Sequence, residues 1–156
     1  MTTKENKEVV RRMMNIINSG DLSNVGEMLD DSYVYRSSAG EEYRGVDGAK
    51  SLVNDYRQAF DNFELSLEEL VAEGDKVFML YRQTGTHTGD LMGLEATNQD
   101  MDLLISGLIT FKNGKMVEQF DTFDTLELMK QLGVVSEEVR PGGAEWPTGG
   151  TQLRPQ

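Results

Sequence analysis

Few side chains in this sequence are equipped for chemistry. The single histidine, His87, sits in Gly85-Thr86-His87-Thr88-Gly89. Two aspartates, Asp121 and Asp124, close the run Glu118-Gln119-Phe120-Asp121-Thr122-Phe123-Asp124. Arg36 follows Tyr33-Val34-Tyr35, and Tyr33, Tyr35, Tyr56, Tyr81 and Phe120 are aromatics that could line a cavity. With no cysteine there is no thiolate metal site, no cysteine nucleophile and no disulfide framework. One histidine and no cysteine leave zinc short of its usual ligands. Asn98-Gln99-Asp100-Met101-Asp102 starts like a calcium loop, but the twelfth residue is Ile109, where a glutamate is needed. There is no phosphate-binding glycine loop between a strand and a helix, and no serine in a nucleophile-elbow setting to pair with His87. Acid–base work by a carboxylate remains. In an apolar cavity burial disfavours the charged form and raises the proton affinity. Such a group can take a proton from carbon beside a carbonyl and return it elsewhere, typically for ~10²–10⁴-fold in rate.

Strand alternation restricts the choice of carboxylate. If residues 115–124 form a regular strand, Glu118, Phe120, Thr122 and Asp124 share one face. Asp121 then shares the other with Val117, Gln119 and Phe123, so one aspartate alone can point into a pocket. Asp124-Thr125-Leu126-Glu127 also has the spacing of a capping box, which gives Asp124 a structural role beside a catalytic one. Each other candidate has a plain reading too. Asp121 reads as a solvated strand residue, His87 as a structural histidine in a glycine-flanked bend, Arg36 as a surface ion-pair partner and the tyrosines as core.

The elements that must position these residues follow from periodicity. Residues 5–17 read as an amphipathic helix, with Val9, Val10, Met13, Ile16 and Ile17 at helical spacing and Asn18-Ser19-Gly20 as its stop. A short helix is predicted over 23–29, strand character at 33–35 and a second strong helix over 47–60, with Asp47 in its first turn. Four strands follow, over 63–72, 77–86, 101–111 and 115–123. Gly74-Asp75 and Asn113-Gly114 mark tight hairpins. A short helix over 126–132 closes the domain. Helices first and strands after give an α+β pattern, with helices on one face of a curved antiparallel sheet and room for an apolar pocket between the layers. A single domain over 1–135 is expected. The remainder, 136–156, holds all three prolines and the only tryptophan, Trp146, and reads as a tail or an arm on a neighbouring subunit.

Composition narrows the partners. The chain has 156 residues, 15 Lys plus Arg against 27 Asp plus Glu, and a formal charge of −12. That balance disfavours nucleic acid and anionic membranes, which call for clustered cations. The longest apolar run, Leu103 to Phe111, is too short to span a bilayer. The first residues lack a signal peptide's apolar core, so a cytoplasmic location is expected.

Several motifs occur together and in order: Gly74-Asp75-Lys76-Val77, Gly85-Thr86-His87-Thr88-Gly89, Met92-Gly93, Gly114-Lys115-Met116-Val117-Glu118, and Asp124 followed by Gln131-Leu132-Gly133. In this the chain resembles the SnoaL-like polyketide cyclases, or ester cyclases, of the nuclear-transport-factor-2-like superfamily. The resemblance covers roughly residues 5 to 134. It implies an α+β cone, a strongly curved antiparallel sheet whose concave side is covered by helices. It also implies a cofactor-independent site in which an aspartate is general acid/base for an intramolecular aldol closure of a polyketide ester, and it implies a homodimer. The family's aspartate maps to Asp124 and its histidine to His87. Arg36 stands where the family usually has histidine, and Phe120 where it usually has tryptophan. The expected site therefore has Asp124 as proton shuttle and Asp121 as its understudy. His87 polarises the carbonyl or orients the ligand, and Arg36 balances enolate charge near the mouth. Tyr35, Tyr56, Tyr81 and Phe120 contact a small, apolar carbonyl ligand. The alternative is a small-molecule binding or oligomerisation module of the same fold without catalysis.

Overall fold

A computed structural model describes residues 1–136. The expected tail, Trp146 included, lies outside the described residues except for Ser136. Helix α1 (Thr3–Ser19) starts where the Thr2 hydroxyl accepts the Glu5 N–H at 3.0 Å. It ends at Gly20, whose φ of +80° is the left-handed conformation that glycine adopts without steric cost. In place of the expected second helix there is only one 3₁₀ turn, Val25–Glu27. Strand β1 (Leu29–Ser37) is longer than predicted. The short β2 (Glu42–Arg44), which three residues of weak pattern did not reveal, pairs antiparallel with it.

Helix α2 (Gly45–Ala59) leads straight into β3 (Phe60–Glu73), so Phe60 is the first residue of a strand and not the last of a helix stripe. Strands β4 (Lys76–His87), β5 (Asp100–Lys112) and β6 (Lys115–Thr122) follow, and α3 (Thr125–Gln131) ends the described domain. The four long strands, both hairpins and the closing helix stand where periodicity and turn chemistry put them.

The six strands lie in the order β2-β1-β6-β5-β4-β3. Neighbours run antiparallel except β1 and β6, which are parallel, so the sheet is mixed and not wholly antiparallel. The reason is topological. β6 fills the open edge of a strand about 85 residues earlier, as in Val34↔Glu118 and Ser37↔Asp121, and no local signal encodes its direction. Register shifts interrupt β3, β1 and the start of β6, and extra residues of this kind bend and twist a strand. Helix α1 packs on β3 and β4, and α2 on β1, β2 and β3. Both helices face the same side of the curved sheet, as the α+β cone requires. On the opposite face Val71, Phe78, Leu108 and Phe120 are successive cross-strand partners and all are exposed.

Candidate functional site

Between the helices and the sheet lies a cavity of about 90 Å³. Its walls are largely apolar and flexible, with Met13 and Met14 from α1, Leu52 and Val53 from α2, and Met79 and Ile105 from the sheet. At ~10–15 Å³ per water-sized occupant the space takes roughly half a dozen such groups. Ligand clefts of ~300–1,000 Å³ are common. Anything larger than one ring therefore requires these methionines, which fill irregular space and repack readily, to yield.

Asp121 is the one carboxylate in this wall. The alternation along β6 divides the residues as the sequence pattern does, but the face in the cavity is opposite to the one that holds Asp124 and Phe120: Gln119, Asp121 and Phe123 reach the cavity, while Glu118, Phe120 and Thr122 are exposed. Asp121 is 1% exposed. Its Oδ2 accepts the Tyr81 hydroxyl at 2.7 Å and its Oδ1 accepts the Gln119 side-chain N–H at 3.0 Å. Gln119 in turn accepts the Tyr33 hydroxyl at 3.2 Å. Burial lifts the Asp121 carboxyl from 3.8 to about 6, against hydrogen bonds from Tyr81, Gln119 and Tyr35 that favour the charged form, and the nearby Glu41 charge adds to the rise. The group therefore exchanges protons near neutrality, as a general acid/base must.

The phenols around it are locked in their protonated form. Burial raises Tyr33, Tyr35, Tyr56 and Tyr81 above the ordinary tyrosine value. Negative charge on Asp121 raises all four further, and at Tyr56 Glu41 contributes more than Asp121 does. A neutral phenol beside a buried carboxylate is a donor suited to an oxygen on which charge develops.

Gly107 makes room for this arrangement. It faces Asp121 across the β5–β6 ladder, and a Cβ there would stand 2.5 Å from Asp121 Oδ1 and 2.8 Å from the Met79 methyl. Its signal in the sequence is a glycine inside a strand pattern, which marks a close approach without saying of what.

Four of the other expected site residues, Asp124, His87, Arg36 and Phe120, lie elsewhere. Asp124 is exposed and caps α3, its Oδ1 accepting the Glu127 N–H at 3.0 Å. The capping-box reading describes its place, and the expectation that Asp124 holds the proton in the pocket is corrected. Helix termini need an acceptor for their free N–H groups, and the residue after a strand end is where the chain turns outward. His87 is fully buried but does not line the cavity. Its Nδ1 accepts the Thr97 N–H at 3.2 Å and lies 3.0 Å from the Thr97 hydroxyl, and its ring packs on Phe60 with centroids 5.2 Å apart. The flanking glycines serve the same packing. A Cβ on Gly85 would come within 2.9 Å of the Phe60 Cβ, and one on Gly89 within 2.3 Å of the Gln58 carbonyl oxygen. The glycine–histidine motif thus clamps the end of β4 onto the start of β3, and ligand contact by His87 is corrected to a structural place.

Arg36 pairs with Glu42 at 2.9 Å on the outer side, and Phe120 is exposed on the outer face, so neither reaches the cavity. Both sit at outward positions of their strands and face one another in the ladder. Tyr35, Tyr56 and Tyr81 do line it, as expected, together with Tyr33. The described residues contain no group of three or more His, Asp or Glu side chains able to hold a metal ion, and no helix among them is long and apolar enough to cross a membrane.

Comparison with known proteins agrees with this architecture. The chain is similar to TsrD from Streptomyces laurentii, with a TM-score of 0.77 at 22% identity over 86% of this chain and 99% of that one. It is also similar to a protein of ketosteroid isomerase-like fold from Catenulispora acidiphila, with a TM-score of 0.71 at 12% identity over 85% and 98% of the two chains. At those identities the likeness speaks for the nuclear-transport-factor-2-like fold alone. In sequence, the chain is 30% identical over 130 residues to the aklanonic acid methyl ester cyclase DnrD of Streptomyces peucetius, covering 81% of this chain and 89% of the relative. The corresponding cyclase DauD of Streptomyces strain C5 matches at the same identity over 81% and 80%. A family model for the SnoaL-like polyketide cyclases matches residues 7–132. The chain belongs to the SnoaL-like polyketide cyclase family.

Proposed function

We propose that this protein is an acid/base enzyme that needs no cofactor and acts on a small carbonyl compound by aldol-type cyclisation, isomerisation or a related proton transfer, with Asp121 as the proton shuttle. The observation that carries this reading is a carboxylate 1% exposed in an apolar cavity wall and held near 6 by burial. In its charged form Asp121 removes a proton from carbon beside the carbonyl. The electron pair moves onto the carbonyl oxygen, to which the Tyr35 or Tyr81 hydroxyl turns its hydrogen bond as Asp121 becomes protonated. The enolate carbon then attacks a second carbonyl of the same molecule. The resulting alkoxide takes the proton back from Asp121, so an aldol closure neither gains nor loses an atom. The cyclase relatives make a polyketide methyl ester the first substrate class to try. The same reading has two copies of the chain associating, and what supports it is the exposed row Val71, Phe78, Leu108 and Phe120 on the outer face. Sedimentation that finds only monomers at micromolar concentration removes that part.

A probe that fits the cavity tests the chemistry without a known substrate. Cyclohex-3-en-1-one has one ring, and its conversion to the conjugated enone requires removal of an α proton and its delivery to the γ carbon. Wild-type protein is expected to accelerate the rise in ultraviolet absorbance of the conjugated product, and Asp121→Asn to lose about 10²–10⁴-fold of that acceleration. If the Asp121→Asn protein is as active as wild type, the shuttle is some other group. The non-catalytic alternative, a binding module, predicts no acceleration by either protein.

A further inference from the structure

The cavity wall holds one carboxylate, Asp121, and one cation, Lys50. They stand on opposite layers. Asp121 is buried on the sheet, whereas Lys50 lies on α2 and is partly exposed. Val53, one turn further along α2, and Ile17 of α1 are also cavity residues that are partly exposed. The cavity therefore meets water on its helix side and has its carboxylate on the sheet floor. A ligand that presents a carbonyl to Asp121 has its other end toward the helices.

Lys50 has no charge partner in the fold. Among the described residues every ion pair is made by an arginine, and no carboxylate pairs with Lys50. Lysine stems commonly cover apolar surface while the ammonium stays in water. That service needs only the stem, which a methionine supplies as well. The charge adds something else. This chain carries −12 overall, a balance that repels anions, and a cation at the edge of the cavity reverses that locally.

We propose that Lys50 is a specificity residue that recognises a carboxylate on the ligand, so that the substrate class is a small carbonyl acid, an apolar ring with its ketone at Asp121 and its carboxylate at Lys50. The proposal rests on the acid/base reading above. The reverse orientation would place a second carboxylate beside Asp121, where burial already penalises one charge. A methyl ester keeps the shape of the acid and loses the charge. Of two ligands that differ only in this way, the free acid is the better one.

The test measures dissociation constants of 3-oxocyclohexanecarboxylate and of its methyl ester by calorimetry at pH 7. Wild-type protein should bind the acid about three- to tenfold more tightly than the ester at low salt, the range for a partly exposed ion pair with a charged hydrogen bond. Salt screens such a pair, so the preference should shrink at high salt. Lys50→Met keeps the stem and should bind the two probes alike, while Lys50→Arg keeps the charge and should keep the preference. A merely structural lysine would change both affinities together in Lys50→Met and leave their ratio alone. A wild-type protein that binds the acid no better than the ester, or that binds neither, overturns the proposal, as does a Lys50→Met protein that retains the full preference. The neutral probe cyclohex-3-en-1-one separates this from the chemistry. Its acceleration by wild type without any acid preference leaves Asp121 as the shuttle and removes Lys50. No acceleration removes the acid/base reading, and with it the claim that the acid is a substrate.

Discussion

Replacing Asp121 by asparagine should make the protein more stable at neutral pH while removing its acid/base group. The magnitude follows from the site. The carboxyl titrates at 3.8 in the unfolded chain and at about 6 in the fold. Between those values the folded state binds more protons than the unfolded state, so stability falls as pH rises through the window. Below about pH 4 the buried group is neutral in both states and the penalty is absent. Above about 6 it is complete, and the difference corresponds to about 3 kcal/mol. Asparagine is nearly isosteric with the protonated acid. Its oxygen can accept from one of Tyr81 and Gln119, and its amide can donate to the other if that group reorients. Thermal melts of both proteins at pH 4 and pH 8 are the assay. At pH 4 the two should melt nearly together. At pH 8 Asp121→Asn should melt higher, by up to about 6–12 °C, taking 2–4 °C per kcal/mol for a domain of this size. Incomplete satisfaction of the Tyr81 and Gln119 donors reduces that figure. If asparagine is equally stabilising at both pH values, or destabilising at pH 8, the carboxyl is not a buried charge held against its preference, and the argument for a shuttle near neutrality goes with it.

Three other perturbations probe the same site. Gly107→Ala drives a methyl group to 2.5 Å from Asp121 Oδ1, and overpacking of this kind should cost about 1–3 kcal/mol in chemical denaturation and displace the shuttle, so activity on the enone probe falls with stability. Asp124→Ala removes the α3 cap and should cost about 1 kcal/mol of stability with the acid limb of the pH–rate profile in place. A large loss of activity at unchanged stability would restore Asp124 to the chemistry. Tyr81→Phe deletes the 2.7 Å hydrogen bond that favours the charged carboxylate, so the acid limb, expected near 6 in wild type, should move to higher pH.

The places where sequence reasoning succeeded and failed share a cause. The period of β6 put Asp121 and Asp124 on opposite faces, and the Asp124-Thr125-Leu126-Glu127 spacing described a cap. Both are local properties of the chain, and both hold in the fold. Mapping the family's aspartate onto Asp124 set that local information aside. The histidine motif has equally local causes, since its glycines are required by the close approach of Phe60 and Gln58, but the partners that make this visible lie about 25 to 30 residues earlier.

By itself the sequence determined α1, α2 and α3 with the Gly20 stop and the Asp124 cap, the two hairpins, the alternating faces of the four long strands and the absence of cysteine chemistry. These depend on side-chain period and turn conformation over a few neighbouring residues. Tertiary structure alone decided which face of β6 looks into the cavity, that β6 pairs parallel with β1, and that Gly107, Glu41 and four tyrosine hydroxyls gather around one carboxylate. That gathering arises from contacts between segments remote along the chain. The shift of Asp121 toward neutrality comes from exclusion of water by all of them together, which no single stretch of sequence carries.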